Sequence, residues 1–365
     1  MSSIRCVSLR IGILLILFSA GGVRSETDAP ADPVREMLLA HFESVQGVYR
    51  GLVKSLVLTP DLGLSRKELE AGLDSLQNAL SHWKIEFHPG YAAFAVQSAS
   101  HLLVVNPQSM PSILEEDDDV LLHESVHLSS SQVKRQLYGL HSELVFYEWL
   151  QDHLDEEKAS QVEANVNHTL SPDDILRLKL WSPAIKTDPV PLRAAAQALR
   201  AGWICETQAY YVQMLAFDEQ LKQSGATSLK QTADMLRKTL ASETGLHPPS
   251  SGESPGLVPE DDMALTLFQA FNPRRVSEQF QEAVLSCVLM DTHKALLFKM
   301  LAETAGWNLS KARKDSAYRH QLYHWARQTI LRWDTLKTDS TTLNAEELKE
   351  LRQNGLVAED EKNQT

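Results

Sequence analysis

The run Leu121-Leu122-His123-Glu124-Ser125-Val126-His127-Leu128 places two histidines four residues apart, with a glutamate directly after the first. Leu121, Leu122, Val126 and Leu128 surround them with apolar side chains, so the run reads as a buried helix. On a helix, residues four apart project from one face, one turn above the other. Two imidazoles so placed can reach a single tetrahedral metal ion. Glu124 is the next residue round the helix, and its carboxylate can sit beside the ion without filling a coordination position. That placement suits a base that deprotonates a metal-bound water. Two histidines and a glutamate are costly to bury together unless something satisfies them. The competing reading is a pair of ordinary histidines held by hydrogen bonds.

Upstream, residues 83–87, 92–96 and 101–105 read as three short strands, apolar and rich in β-branched residues. His88-Pro89-Gly90 supplies a turn, and Asn106-Pro107 ends the last strand. Two helices come before them, over 34–56 and 65–82. Ser65 with Glu68 three residues on makes a capping-box pattern at the start of the second.

Downstream, one helix is expected from about 112 to 132. Its opening acids, Glu115, Glu116, Asp117, Asp118 and Asp119, read as a solvated helix start near the positive end of the dipole. A further amphipathic helix covers 135–154. Pro172, Pro183, Pro189 and Pro191 break up 170–191. A long helix over 192–223 follows, with a bend expected at Gly202. The predicted class is α+β and predominantly α-helical, with a small three-stranded sheet and a helical C-terminal half.

The strands followed by His123-Glu124-x-x-His127 resemble the zincin metallopeptidases over roughly residues 83–220. The resemblance implies a zinc cofactor, a peptide or protein substrate, and an exposed edge strand beside the active-site helix that holds extended peptide by main-chain hydrogen bonds. It also implies a third protein ligand, leaving the fourth position open to water. One zincin branch places a third histidine six residues past the second. Here that position is Val133, and Ser130 stands where that branch has glycine. The gluzincin branch takes a glutamate from a later helix, often as E-x-x-A, which Glu206-Thr207-Gln208-Ala209 matches.

The surroundings of Glu206 are mostly apolar, so a lone acid there needs a partner. Glu143, Glu148 and Glu219 fit solvated faces instead. Two departures stand out. The gap from His127 to Glu206 is long for the branch, and Tyr210 occupies a position where some members carry an aspartate that orients a ligand histidine. An oxyanion donor is open among Tyr210, Tyr211, His293 and His320. A second histidine pair, His320 and His324, has the same spacing without the glutamate and reads as a structural helix face.

The net charge of −13 and the lack of a basic patch exclude a phosphate-backbone binder and a recruiter to anionic membranes. Arg5 and Arg10 precede the apolar run 11–18, and Val23-Arg24-Ser25 resembles a cleavage site, so export to a periplasm or secretion is expected, with no stable membrane insertion afterwards. The chain divides into a signal peptide (1–25), a leader (26–33), a zincin-like catalytic unit (34–244), a Pro/Gly-rich loop (245–261), a C-terminal helical region (262–340) and a polar acidic tail (341–365). Removal of the signal takes Cys6 with it and leaves Cys205 and Cys287, as a disulfide or as two buried thiols. Two other function classes stand beside a zinc peptidase: a non-hydrolytic zinc-binding protein, and a helical cell-envelope interaction protein.

Overall fold

A computed structural model describes residues 31–87, 94–114, 120–153, 188–223, 266–333 and 343–353. The expected signal peptide, the acidic run 115–119 and the Pro/Gly-rich loop lie outside the described residues. Helix α1 (Ala31–Ser55) buries Leu38, Phe42, Val45, Tyr49, Leu52 and Val53, the stripe its helical periodicity dictates. It packs on α2 (Arg66–His82), whose buried face is Leu69, Gly72, Leu73, Leu76, Ala79 and Leu80. The capping box at the start of α2 is present in both directions: the Ser65 hydroxyl accepts from Glu68 N, and the Glu68 carboxylate accepts from Ser65 N. At the other end, Arg35 of α1 donates to the carbonyls of Leu80 and Trp83, which the helix leaves unpaired.

The three strands are β1 (Lys84–Phe87), β2 (Phe94–Gln97) and β3 (Leu102–Val105), in the order β1-β3-β2. β1 and β3 run parallel, while β2 pairs antiparallel to β3 with Val96 opposite Leu103. The last strand in sequence is therefore the centre of the sheet, and β2 is the edge beside the histidine helix. A tight turn joins β2 to β3, with His101 at φ 50° stacked on Trp83. The α+β, predominantly helical class is thus observed, with its small mixed sheet.

The helix expected to run unbroken to 132 is divided. Helix α3 (Val120–His127) stops at His127, and α4 (Ser130–Asp152) starts after two intervening residues. Leu128 N and Ser129 N bond to Ser125 O and Val126 O, a tightened last turn that closes α3 and redirects the chain. The proline-broken segment also ends earlier than expected. Helix α5 (Pro189–Gln223) begins at Pro189, and Pro191 lies inside its first turn. Proline is tolerated there because the first N–H groups have no helical partner. Asp188 holds this start, accepting from Val190 N and from the Trp149 indole. The helix is not interrupted at Gly202. α5 runs through it, and the Lys294 side chain crosses the helix at that point.

The C-terminal elements are α6 (Glu278–Val288), α7 (Thr292–Thr304), α8 (Leu309–Lys314), α9 (Ser316–Ala326) with a π turn over Arg327–Leu331, and α10 (Ala345–Gln353). One apolar core joins α1, α2, the sheet, α3, α5 and α6 and reaches Leu331. A smaller cluster of α4, α5 and α7 contains Phe146, Trp149, Leu150, Leu296 and Met300. The polar tail contributes α10, which buries Leu351 and pairs Glu350 with His141. Among the described residues, no helix is long and apolar enough to cross a membrane.

Candidate metal centre

All eight residues of α3 are buried, so its polar side chains must find partners inside the protein. α2 presses on one side, with Gly72 against the Ser125 carbonyl. α5 and β2 close the others. His123 and His127 turn their Nε2 atoms toward one another at 3.2 Å. Glu206 of α5 faces the same point, with one carboxylate oxygen 3.5 Å from His123 Nε2 and the other 3.5 Å from His127 Nε2.

Two imidazole lone pairs at such a separation repel unless a cation or proton lies between them. A tetrahedral ion with ligands at about 2.0–2.1 Å sets its ligand atoms about 3.3 Å apart. The Nε2–Nε2 separation matches that edge, and each imidazole has one Glu206 oxygen 3.5 Å away, so the donor set fits a metal. His123, Glu124 and His127 form a buried group whose ligand atoms lie close enough to hold an ion.

Two carboxylates thus compete for the role of third ligand. Glu206 faces both imidazoles, whereas the Glu124 carboxylate accepts a 3.0 Å hydrogen bond from Val96 N on the outer edge of β2. Each imidazole thus has a Glu206 oxygen beside it, while Glu124 is tied to the sheet. The Glu206 side chain is 34% exposed, against 7% and 8% for the two histidine side chains, so the centre opens to solvent on the α5 side.

The electrostatics separate the two acids. Burial pushes the Glu124 carboxyl up to about 7, with the negative charge of Glu206 adding to the rise and His127 and the Val96 N–H opposing it. Burial also acts to raise Glu206. There, the charge of His127 together with the hydrogen bond and charge of His123 prevails, and its carboxyl stays below the ordinary range.

Each histidine is held from behind by a neutral amide. His123 Nδ1 is 3.1 Å from Gln213 Oε1, and His127 Nδ1 is 2.8 Å from Gln132 Oε1. The sequence reading missed both glutamines. Gln213 lies on α5 two turns past Glu206. Gln132 reaches His127 only because α3 ends and the chain turns back. Helical spacing from Glu206 is a signal that could have found Gln213, but nothing local marks Gln132.

Of the four candidate oxyanion donors, Tyr210 alone is at the centre. Its ring meets His123 edge-on at 4.6 Å, and its hydroxyl interacts with Cys287. Tyr211 donates to Asn272 O, and His293 pairs with Tyr147. His320 and His324 are the exposed partners of Glu282, which Arg327 also contacts, so this second pair serves an ion-pair cluster.

Cys205 and Cys287 are free buried thiols, and the disulfide between them is not formed. Cys205 lies against Arg135 and Cys287 against Tyr210. Burial raises the Cys205 thiol to about 12 and Cys287 higher still, which leaves both unreactive. Thiol titration of denatured, unreduced protein lacking residues 1–25 is expected to count two per chain. A count of zero would restore the disulfide.

No family model matches this chain, and neither a curated protein nor a solved structure matches it.

Proposed function

We propose that the chain is an exported, zinc-dependent metallopeptidase of the gluzincin type. The observation that supports the reading is the 3.2 Å approach of His123 Nε2 to His127 Nε2, with a Glu206 oxygen 3.5 Å from each and Glu124 close by. His123, His127 and Glu206 would hold the ion. Zinc, when bound, supplies a Lewis acid that polarises a carbonyl and acidifies water.

Glu124 is the general base. It stands beside the histidines, and in the metal-free protein burial raises its carboxyl, which favours taking up a proton. It takes a proton from water and returns it to the leaving amine. The Val96 N–H fixes the carboxylate for this transfer and ties it to the edge strand β2. An extended peptide added to that edge would bring its carbonyl toward the same point. Tyr210 packs against His123 as a wall of the centre. Export rests on the N-terminal pattern of basic residues, apolar run and cleavage site.

Metal analysis of the purified protein tests the reading. One zinc per chain is expected after reconstitution, with loss of at least ten-fold in affinity in both His123→Ala and Glu206→Ala. A wild type that takes up no zinc would return the motif to coincidence. Zinc retained undiminished by Glu206→Ala would move the third ligand elsewhere. Stoichiometric zinc with no cleavage across a peptide library would favour the non-hydrolytic alternative.

A further inference from the structure

A histidine can carry its single proton on either ring nitrogen, and only the Nδ1–H form leaves Nε2 with a lone pair for a metal. A neighbouring glutamine does not settle the choice, since an amide can present its oxygen or its nitrogen. The amide must itself be pinned by groups that hydrogen-bond in one sense only. Around His127 such groups are present, and they form a closed chain.

The Gln132 amide nitrogen lies 3.1 Å from Cys205 O, a backbone carbonyl that can only accept. It also lies 3.2 Å from Gln208 Oε1. That oxygen is fixed in turn by Arg135 NH1 at 3.0 Å, because a guanidinium can only donate. The other end of the Gln208 amide donates to Leu62 O at 2.7 Å, again an obligate acceptor. Reversing either amide would set oxygen against oxygen or N–H against N–H. Gln132 therefore presents Oε1 to His127 Nδ1, which must carry the proton. Gln132 and Gln208 are fully buried and Arg135 nearly so, and water cannot readily replace a lost partner.

We infer that Arg135, Gln208 and Gln132 form a tautomer lock, which keeps a proton on His127 Nδ1 and so makes Nε2, the atom facing Glu206, the nitrogen left for a metal. Its purpose rests on the reading of His127 Nε2 as a metal ligand; the tautomer does not. These are positioning residues. They bind neither ion nor substrate, and the same chain ties the histidine helices to α5 beside Glu206 through the Cys205 carbonyl. Orienting partners of this kind are worth about 10- to 100-fold in metal affinity.

Long-range proton–nitrogen correlation spectra of metal-stripped protein, labelled with ¹⁵N-histidine and held at pH 9, read the tautomer directly. The wild type is expected to show His127 with a protonated Nδ1 and an unprotonated Nε2. A neutral ring with its proton on Nε2 and none on Nδ1 would overturn the lock without need of any variant. In Gln132→Leu the ring is expected to sample both tautomers, with zinc affinity lower by about 10- to 100-fold. An unchanged tautomer in a folded Gln132→Leu would also overturn it. A wild type with the expected tautomer that binds no zinc would sink the metal reading and leave the lock standing.

Discussion

Glu124→Gln is expected to lower peptide hydrolysis by about 10²- to 10⁴-fold, the usual contribution of a general base, while zinc stays bound. The same substitution is expected to stabilise the metal-free protein by an amount that grows as pH rises from about 4.5 to about 7 and then levels off. The folded-state carboxyl of Glu124 is raised to about 7 from an ordinary value of 4.5, chiefly by burial and then by Glu206. A group raised in the folded state contributes stability that is fully present below its unfolded value. That contribution is lost as pH climbs through the folded value. At pH 8 the folded protein therefore carries an ionised, buried Glu124 at a cost of roughly 1–3 kcal/mol. Glutamine removes the charge and keeps an oxygen for the Val96 N–H. Thermal unfolding in chelator should show the variant more stable at pH 8 and close to the wild type only below the unfolded value, near pH 4. A stability gain equal at both pH values would mean that the charge is not the cause. Full activity in the variant would remove Glu124 from the chemistry.

Gly72→Ala is expected to destabilise the protein by about 1–3 kcal/mol or more, with weaker zinc binding beside it. A methyl at this position would lie 2.2 Å from the Ser125 carbonyl oxygen and 3.2 Å from its carbon. The obstacle is backbone, so no side chain can rotate away, and α2 and α3 must separate. Alanine is the better helix former by about 1 kcal/mol, but overlap of this depth between two buried helices outweighs it. Because Ser125 stands between His123 and His127, the displaced carbonyl belongs to the metal-binding turn itself. Gly47→Ala provides the contrast. It lies on the exposed face of α1 with nothing within 4 Å of the added carbon, and a gain of about 0.5–1 kcal/mol is expected. Melting temperatures of the two variants should move in opposite directions. A neutral Gly72→Ala would show that α2 and α3 are not packed this closely.

The difference between these two residues also marks how far a sequence can be read. Val126, His123 and His127 declare their helix because i,i+4 spacing and an apolar background are properties of adjacent residues. The capping box at Ser65 and Glu68, and the strand texture of 84–87 and 102–105, are legible for the same reason. Glu206 was reachable only through a motif shared with other proteins, and what it faces could not be known from its neighbours. Gly72 looked like any glycine in a helix. Gln132 looked like a surface residue near a helix end, because the break after His127 arises from the path of the chain around a packed core.

By itself, then, the sequence determined the helical character of the chain, the three short strands, and a helix able to present two imidazoles and a carboxylate. The tertiary structure decided that β2 is the edge strand beside α3, that Glu206 sets an oxygen 3.5 Å from each imidazole, that two neutral amides orient the histidines, and that the thiols stay apart. The physical reason is range. Periodicity and capping are settled within a few residues by backbone geometry. Burial, amide orientation and the approach of α5 to α3 depend on close packing between segments far apart in the chain, where a single methyl group changes the outcome.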